Sequence, residues 1–381
     1  MTTLANQISA IVNEHYYKLK PTGKPITRSN GVPEWTVLAA VVAIDQFTNK
    51  LRLISLATGV KATPDAELRR SNGRILHDCH AEILSLRAFN AVLLEHMYRI
   101  RTEGSSEFSD LLEESEDKKL FRIKKNYSFA LYISKVPCGD SSMNILEDDD
   151  ANESLEQFSC QYVDSNNRTL LRGRSNYKKK GFVRTKPGRK DSKITLSKSC
   201  SDKLCIRQMT SILNSLTWDL IVEPAFLKYI VIPNLSQSAE IGLRRSFKER
   251  LSGLGKMQEI EFLSCTENFC HEKTSELQSP SLLSAILLNI EDGKQAVQEV
   301  VLNGVKNGFY VKGSKPLRKN SESSISRLSQ WKVYQKLRPI DSQMSYLEFK
   351  STQIARNAIK EKVRIRLSAD GWISTKEDDC K

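Results

Sequence analysis

The chain has 381 residues, with 39% hydrophobic and 7% aromatic side chains, enough apolar material for one large domain or two modest ones. No apolar run approaches the length of a membrane span and the opening MTTLANQISA lacks a charged-then-apolar leader, so a soluble intracellular protein is expected. A formal net charge of +13 favours a polyanionic partner, and eight sparse cysteines favour thiols or metal ligands over a disulfide framework.

Residues 4–20 place Leu4, Ile8, Ile11, Val12 and Tyr16 at helical spacing, and Pro21, Gly23 and Pro25 end that helix. Trp35–Ile44 reads as a buried strand, with Leu51–Ala57 as its hairpin partner. Residues 80–98 predict a helix buried over a broad face, with Asp78 as its N-cap. Residues 103–119 are acidic and serine-rich and read as a mobile surface loop, and 147–156 as a second acidic loop. Tyr127–Val136 is a strand that ends at Pro137-Cys138. Further on, 203–218 reads as one helix, Phe226–Ile232 as a strand, 313–326 as a loop and 346–367 as one long basic helix. The stretch 237–300 shows no pattern that places it. Alternating strands and helices predict an α/β sandwich around a central sheet.

Two motifs carry chemistry. His80-Ala81-Glu82 opens a predicted helix, and Pro137-Cys138-Gly139-Asp140 follows a predicted strand. Zinc-dependent nucleobase deaminases hold the ion with one histidine and two cysteines, and use a glutamate off the metal to carry protons. His80 and Cys138 supply two ligands, Glu82 the proton carrier, and the helix start a partial positive charge. Activated water would attack C6 of adenine or C4 of cytosine. The close second cysteine of the usual pattern is missing, because Gly139-Asp140-Ser141 follows Cys138. That leaves Cys160, Cys200, Cys205, Cys265 and Cys270 as third-ligand candidates. Cys200 is preferred, since it stands just before an apolar helix and just after a basic run, whereas Cys205 falls inside the helix.

That basic run is the other informative segment. From Arg168 to Lys198 there are twelve Lys and Arg residues, including Arg174, Lys178, Lys179, Lys180, Arg184, Lys186, Arg189 and Lys190, against the single acid Asp191. Such a run attracts phosphates and releases counterions, and Tyr177 and Phe182 within it offer stacking faces. Lys178-Lys179-Lys180 also suits a nuclear signal, so nucleus and cytoplasm both stay open.

Leu76–Ile83, Tyr132–Ser134 before Pro137–Asp140, Arg184-Thr185-Lys186-Pro187-Gly188-Arg189 and Ser199-Cys200-Ser201-Asp202-Lys203 occur in an order that resembles the catalytic domain of the adenosine deaminases acting on RNA. Gly23-Lys24-Pro25 and Glu34-Trp35-Thr36 bring it nearer to the tRNA-specific branch, and Phe226–Asn234 to its fungal members. The resemblance covers about 18–235 strongly and 325–376 weakly. It implies a single domain over 1–381, a three-layer cytidine-deaminase-like α/β core with a central mixed sheet, and a C-terminal helical extension. It implies hydrolytic deamination of adenosine to inosine at the position just 3′ of the anticodon, A37 of alanine tRNA, by a monomer without membrane attachment. It puts the third zinc ligand on Cys200. It also implies a buried inositol hexakisphosphate held by Arg87, Lys203, Tyr346, Lys350, Lys360 and Trp372, with Lys376 a further contact and Arg207 compensating for Leu86 and Arg356, which depart from the family pattern. Asp78 and Lys203 would couple that cage to the metal site. The family's double-stranded-RNA editors carry a glutamate between glycines where this chain has Gly188-Arg189-Lys190-Asp191, and its absence suits a base already unpaired in a loop. Competing readings are a deaminase of other RNA, of free nucleosides or of cytidine, or an RNA-binding module with structural zinc and no catalysis.

Overall fold

The β-branched run Leu38–Asp45 (β1) turns back through Asp45–Lys50 into Leu51–Thr58 (β2), an antiparallel hairpin from Leu38↔Thr58 to Ile44↔Leu51. The computed structural model describes residues 2–104, 109–116, 118–148, 162–164, 166–174, 176–187, 192–193, 195–255, 257–313, 315–338, 343–375 and 378–381. Before the hairpin lies α1 (Leu4–Tyr17), capped by Thr3. After it come α2 (Ala81–Glu103), β3 (Tyr127–Ile133), α3 (Cys200–Thr210), β4 (Leu227–Pro233) and α4 (Gln237–Phe247). Then follow β5 (Glu261–Cys265), β6 (Leu283–Leu288), β7 (Val297–Leu302) and β8 (Val305–Lys306). The helices α5 (Arg327–Leu337), α6 (Tyr346–Ser351) and α7 (Ile354–Leu367) close the chain.

One eight-stranded sheet runs in the order β5-β4-β3-β1-β2-β6-β7-β8. β4 lies parallel to β3 and β5, and the remaining neighbours are antiparallel, so the sheet is mixed. Its two faces account for the uninterrupted apolar character of β1. Ala39, Val41 and Ala43 face the cluster built on α2, whereas Leu38, Ala40 and Val42 face the cluster built on α1. A strand covered on both faces has no reason to alternate.

The structure revises several sequence expectations. The predicted helix over 203–218 is two helices, because Asn214 accepts from Leu216 and Thr217 and starts a new one, Ser215–Leu220, with a capping box. The predicted helix over 346–367 is likewise broken, where the buried Gln353 donates to the Ser215 carbonyl. Within 103–119, Leu111 and Leu112 are fully buried and Leu112–Glu114 pairs with Phe121–Ile123, so that part is packed structure and not a loose loop. Residues 237–300, unplaced by pattern, supply α4 and three strands of the main sheet. Among the described residues, no helix is long and apolar enough to cross a membrane.

Candidate active site

Three chain segments converge at one end of the sheet. The short strand Asp78–His80 leads directly into α2, β3 leads through Pro137 to Cys138, and Cys200 is the first residue of α3. Cys138 Sγ lies 3.7 Å and Cys200 Sγ 3.6 Å from His80 Nδ1. The three donor atoms all lie within 4.8 Å of one another, and among the described residues no other group of His, Cys and acidic donors is so placed. A tetrahedral ion with Zn–N about 2.0 Å and Zn–S about 2.3 Å separates its ligands by about 3.6 Å, so one imidazole and two thiols here fit Zn²⁺. The Cys200 backbone N–H donates to Cys138 Sγ at 3.3 Å, and a side-chain hydrogen bond with Cys200 together with the charges of His80 and Lys186 holds the Cys138 thiol well below its ordinary value against the effect of burial. Burial and the neighbouring Cys138 raise the Cys200 thiol well above its ordinary value, with Lys186 working against the rise, so zinc binding at the pair would displace the Cys200 proton.

Glu82, the second residue of α2, is 3% exposed, and its Oε2 is buried with no hydrogen-bond partner. Burial raises its carboxyl above the ordinary value, with His80 working against the rise. A carboxyl poised in this way, under the charges of His80 and Cys138, can accept and return a proton.

Asp78 corrects one expectation and meets another. It does not cap α2, whose N-cap is His80 with no side-chain cap bond. Instead Asp78 Oδ1 accepts from the His80 backbone N–H at 3.1 Å. Its carboxylate also takes both oxygens' worth of Lys186 Nζ at 2.7 Å and pairs with Lys203 Nζ. Burial opposes the Asp78 charge, but Lys186, Lys203 and His80 outweigh it and keep the carboxyl well below the usual range. Lys186 Nζ in turn reaches Cys200 Sγ at 3.1 Å. Its assignment to RNA is therefore corrected: Lys186 is 2% exposed and its ammonium is spent on Asp78 and Cys200. Arg184 is corrected for the same reason, since it is 1% exposed and donates to the carbonyls of Gly173, Asn176 and Lys179. Tyr177 is buried too and offers no stacking face. Arg174, Lys178 and Lys179 are exposed, and Lys180 pairs with Glu147. Cys160, Arg189, Lys190 and Lys376 lie outside the described residues. Cys205 is packed in the α3 core, Cys265 lies in β5 against the α1 layer, and Cys270 meets His271 at 3.1 Å and the Tyr17 side chain.

Residues 55–365 match the adenosine-deaminase (editase) domain. This chain belongs to that family. It is similar to tRNA-specific adenosine deaminase 1 of Saccharomyces cerevisiae, 47% identical over 99% of this chain and 94% of that protein. It is also similar to tRNA-specific adenosine deaminase 1 of Schizosaccharomyces pombe, 35% identical over 98% of this chain and 95% of the relative. The double-stranded RNA-specific editase Adar of Drosophila melanogaster is more distant, 27% identical over 52% of this chain and 29% of that protein. The fold agrees with the deaminase domain: a central mixed sheet flanked by helices, with helices at the C-terminus.

A second cluster, of cations, is gathered by the helices. Arg87, Arg207, Lys350, Lys360, Arg356 and Arg364 come together from α2, α3, α6 and α7. Lys350 and Lys360 have no hydrogen-bond or ion-pair partner for their ammonium groups among the described residues. Burial, then Lys350, Arg364, Arg356 and Arg207, push Lys360 down to about 6. Arg207 is pushed down to about 10 by burial, Arg356 and Arg87, although it donates to the Ile212 carbonyl at 3.0 Å. Tyr346 is drawn below its ordinary value: burial resists, but Lys350, Arg327 and Arg87 prevail. The Trp372 ring lies between Lys198 Nζ at 5.2 Å and the Arg364 guanidinium at 5.5 Å. Like charges under one another's field call for an anion. Sequence reading missed Arg364, Arg327 and Lys198 here. Helical spacing did offer the signal for Arg364, four residues after Lys360 on the same helix.

Proposed function

We propose that this protein deaminates adenosine to inosine in tRNA by zinc-assisted hydrolysis, at the adenosine just 3′ of the anticodon, A37 of alanine tRNA. The observation that carries the chemistry is the convergence of His80, Cys138 and Cys200 on one point, with the unpartnered Glu82 oxygen buried beside them. The tRNA assignment rests on likeness to two relatives named as tRNA-specific deaminases, each covered over nearly its whole length.

A Zn²⁺ ion, when bound, supplies Lewis-acid activation of water near neutral pH. His80, Cys138 and Cys200 would hold it. Glu82 takes one proton from the attacking water and gives it to the ring nitrogen, then takes the second from the added hydroxyl and gives it to the amino group, which leaves as ammonia. Lys186 and Asp78 keep the Cys200 sulfur and the His80 backbone fixed. The basic cluster of Arg87, Lys203, Arg207, Tyr346, Lys350, Lys360 and Trp372 is proposed to hold inositol hexakisphosphate. The exposed Arg174, Lys178 and Lys179 are proposed to meet the tRNA backbone. The test is inosine mapping in tRNA exposed to the purified protein. Inosine 3′ of the anticodon supports the reading, inosine elsewhere moves the target, and conversion of free adenosine alone removes the RNA substrate.

A further inference from the structure

Each candidate zinc cysteine is followed two residues later by an aspartate: Asp140 after Cys138 and Asp202 after Cys200. Both aspartates are fully buried, and both are paired with arginines from one short segment, α4 and the turn Glu249–Leu251 after it. Arg250 Nη2 donates to Asp202 Oδ1 at 2.6 Å, and its Nη1 lies 3.7 Å from Asp140 Oδ2. Arg245 Nε donates to Asp140 Oδ2 at 3.0 Å, and its Nη2 to the Asp140 carbonyl at 2.6 Å. Ser246 Oγ donates to Asp140 Oδ2 at 2.8 Å.

The approach of α4 is close. A Cβ on Gly242 would sit 2.1 Å from the Ser141 carbonyl oxygen, so only glycine lets the helix reach the turn. Gly242, Arg245 and Ser246 thus present one face of α4 to the Cys138–Ser142 turn, and Arg250 from the turn that follows reaches past it to α3. The turns are also joined directly, because Ser201 Oγ donates to the Cys138 carbonyl at 2.8 Å. The Ser201 N–H also donates to the Cys138 carbonyl at 3.0 Å, the Ser141 N–H to Ser201 Oγ at 3.2 Å and the Cys200 N–H to Cys138 Sγ at 3.3 Å, so the turns meet near the cysteines. The Arg250 guanidinium adds a second tie on the far side of the aspartates, hydrogen-bonded to Asp202 and within ion-pair distance of Asp140, and its planar fork constrains their relative orientation more than a flexible ammonium would.

We infer that Arg250 and Arg245 are positioning residues for the metal: they lock the two Cys-x-Asp turns at the separation at which both sulfurs and His80 reach one ion. Neither arginine touches a ligand atom or substrate. The inference rests on the proposed zinc reading.

The experiment uses the full chain with Arg250→Lys, Arg250→Met and Arg245→Lys. Circular dichroism reports the fold, a chromophoric chelator reports the rate of zinc loss, and cobalt substitution reports geometry through the thiolate charge-transfer and d–d bands. Arg250→Lys is expected to stay folded, lose zinc roughly 10–100-fold faster, the range seen when groups that orient ligands are removed, and shift the cobalt d–d bands. Arg250→Met should be worse than Arg250→Lys, and Arg245→Lys milder. If Arg250→Met does not fold, the two lysine variants decide. Folded lysine variants with wild-type zinc loss and unchanged cobalt bands would overturn the positioning role while leaving the zinc reading intact. A wild-type protein that binds neither zinc nor cobalt through thiolates would overturn both.

Discussion

Lys186 Nζ lies 3.1 Å from Cys200 Sγ while its other contacts, at 2.7 Å, are the two oxygens of Asp78. A lysine from within an apparently RNA-facing basic run is therefore a buried cation set against a candidate metal-ligating sulfur. Lys186→Met should strip that charge and orphan Asp78, lowering zinc retention and kcat by roughly tenfold or more, as loss of a group supporting a metal ligand does. tRNA affinity should stay within about twofold, because no phosphate contact is lost. Zinc content by atomic absorption and tRNA binding by filter assay check this. Weakened tRNA binding with intact zinc would return Lys186 to the RNA surface.

Glu82→Gln keeps the shape of the side chain and removes its proton chemistry. Fold and zinc content should be unchanged, while single-turnover deamination falls by about 10²–10⁴. A rate within a few-fold of wild type would mean another group carries the proton.

Neutralising Lys178, Lys179 and Lys180 together should weaken tRNA binding and flatten its salt dependence, by a log–log slope of roughly 0.7–0.9 per lost phosphate contact. Fluorescence titrations at several salt concentrations give the slope. An unchanged slope would show that this segment does not meet the RNA.

Lys360 makes ligand-free stability depend on pH. Its folded value is lowered to about 6, and an unfolded lysine titrates near its ordinary value of about 10.4. Between those two values the unfolded chain holds a proton that the folded chain lacks. Stability of the ligand-free protein should therefore rise with pH across that window and fall as pH drops toward 6. Melting temperatures of ligand-free protein should be higher at pH 9 than at pH 7, and Lys360→Met should remove much of the difference. A bound polyanion such as inositol hexakisphosphate would restore the charge in the folded state and should flatten the trend between pH 7 and 9. Equal slopes with and without ligand would contradict the cage.

The fold was legible where one chemical pattern decided it. The apolar runs of β1 and β3 and the buried face of α2 each stand within a few residues of their expected bounds. It was illegible where a cap or a distant partner decided it. Asn214 and Thr217 break an otherwise periodic helix, and β5, β6 and β7 gain their meaning only from the neighbours they pair with in the sheet. The site divides in the same way. His80, Glu82 and Cys138 carried their own signal, because the residue types sit at the spacing the chemistry needs. Arg250 and Lys186 did not, since a buried counter-charge looks like any other surface cation until the fold brings its aspartate to it.

The central claim is that Glu82, beside the ligands His80, Cys138 and Cys200, deaminates an anticodon-loop adenosine of tRNA. Its most direct test is to incubate total tRNA with purified wild-type protein and Glu82→Gln, then map inosine by sequencing. The account predicts inosine immediately 3′ of the anticodon of alanine tRNA with wild type and almost none with Glu82→Gln. No inosine with zinc-replete wild type, or equal inosine with both proteins, would contradict it.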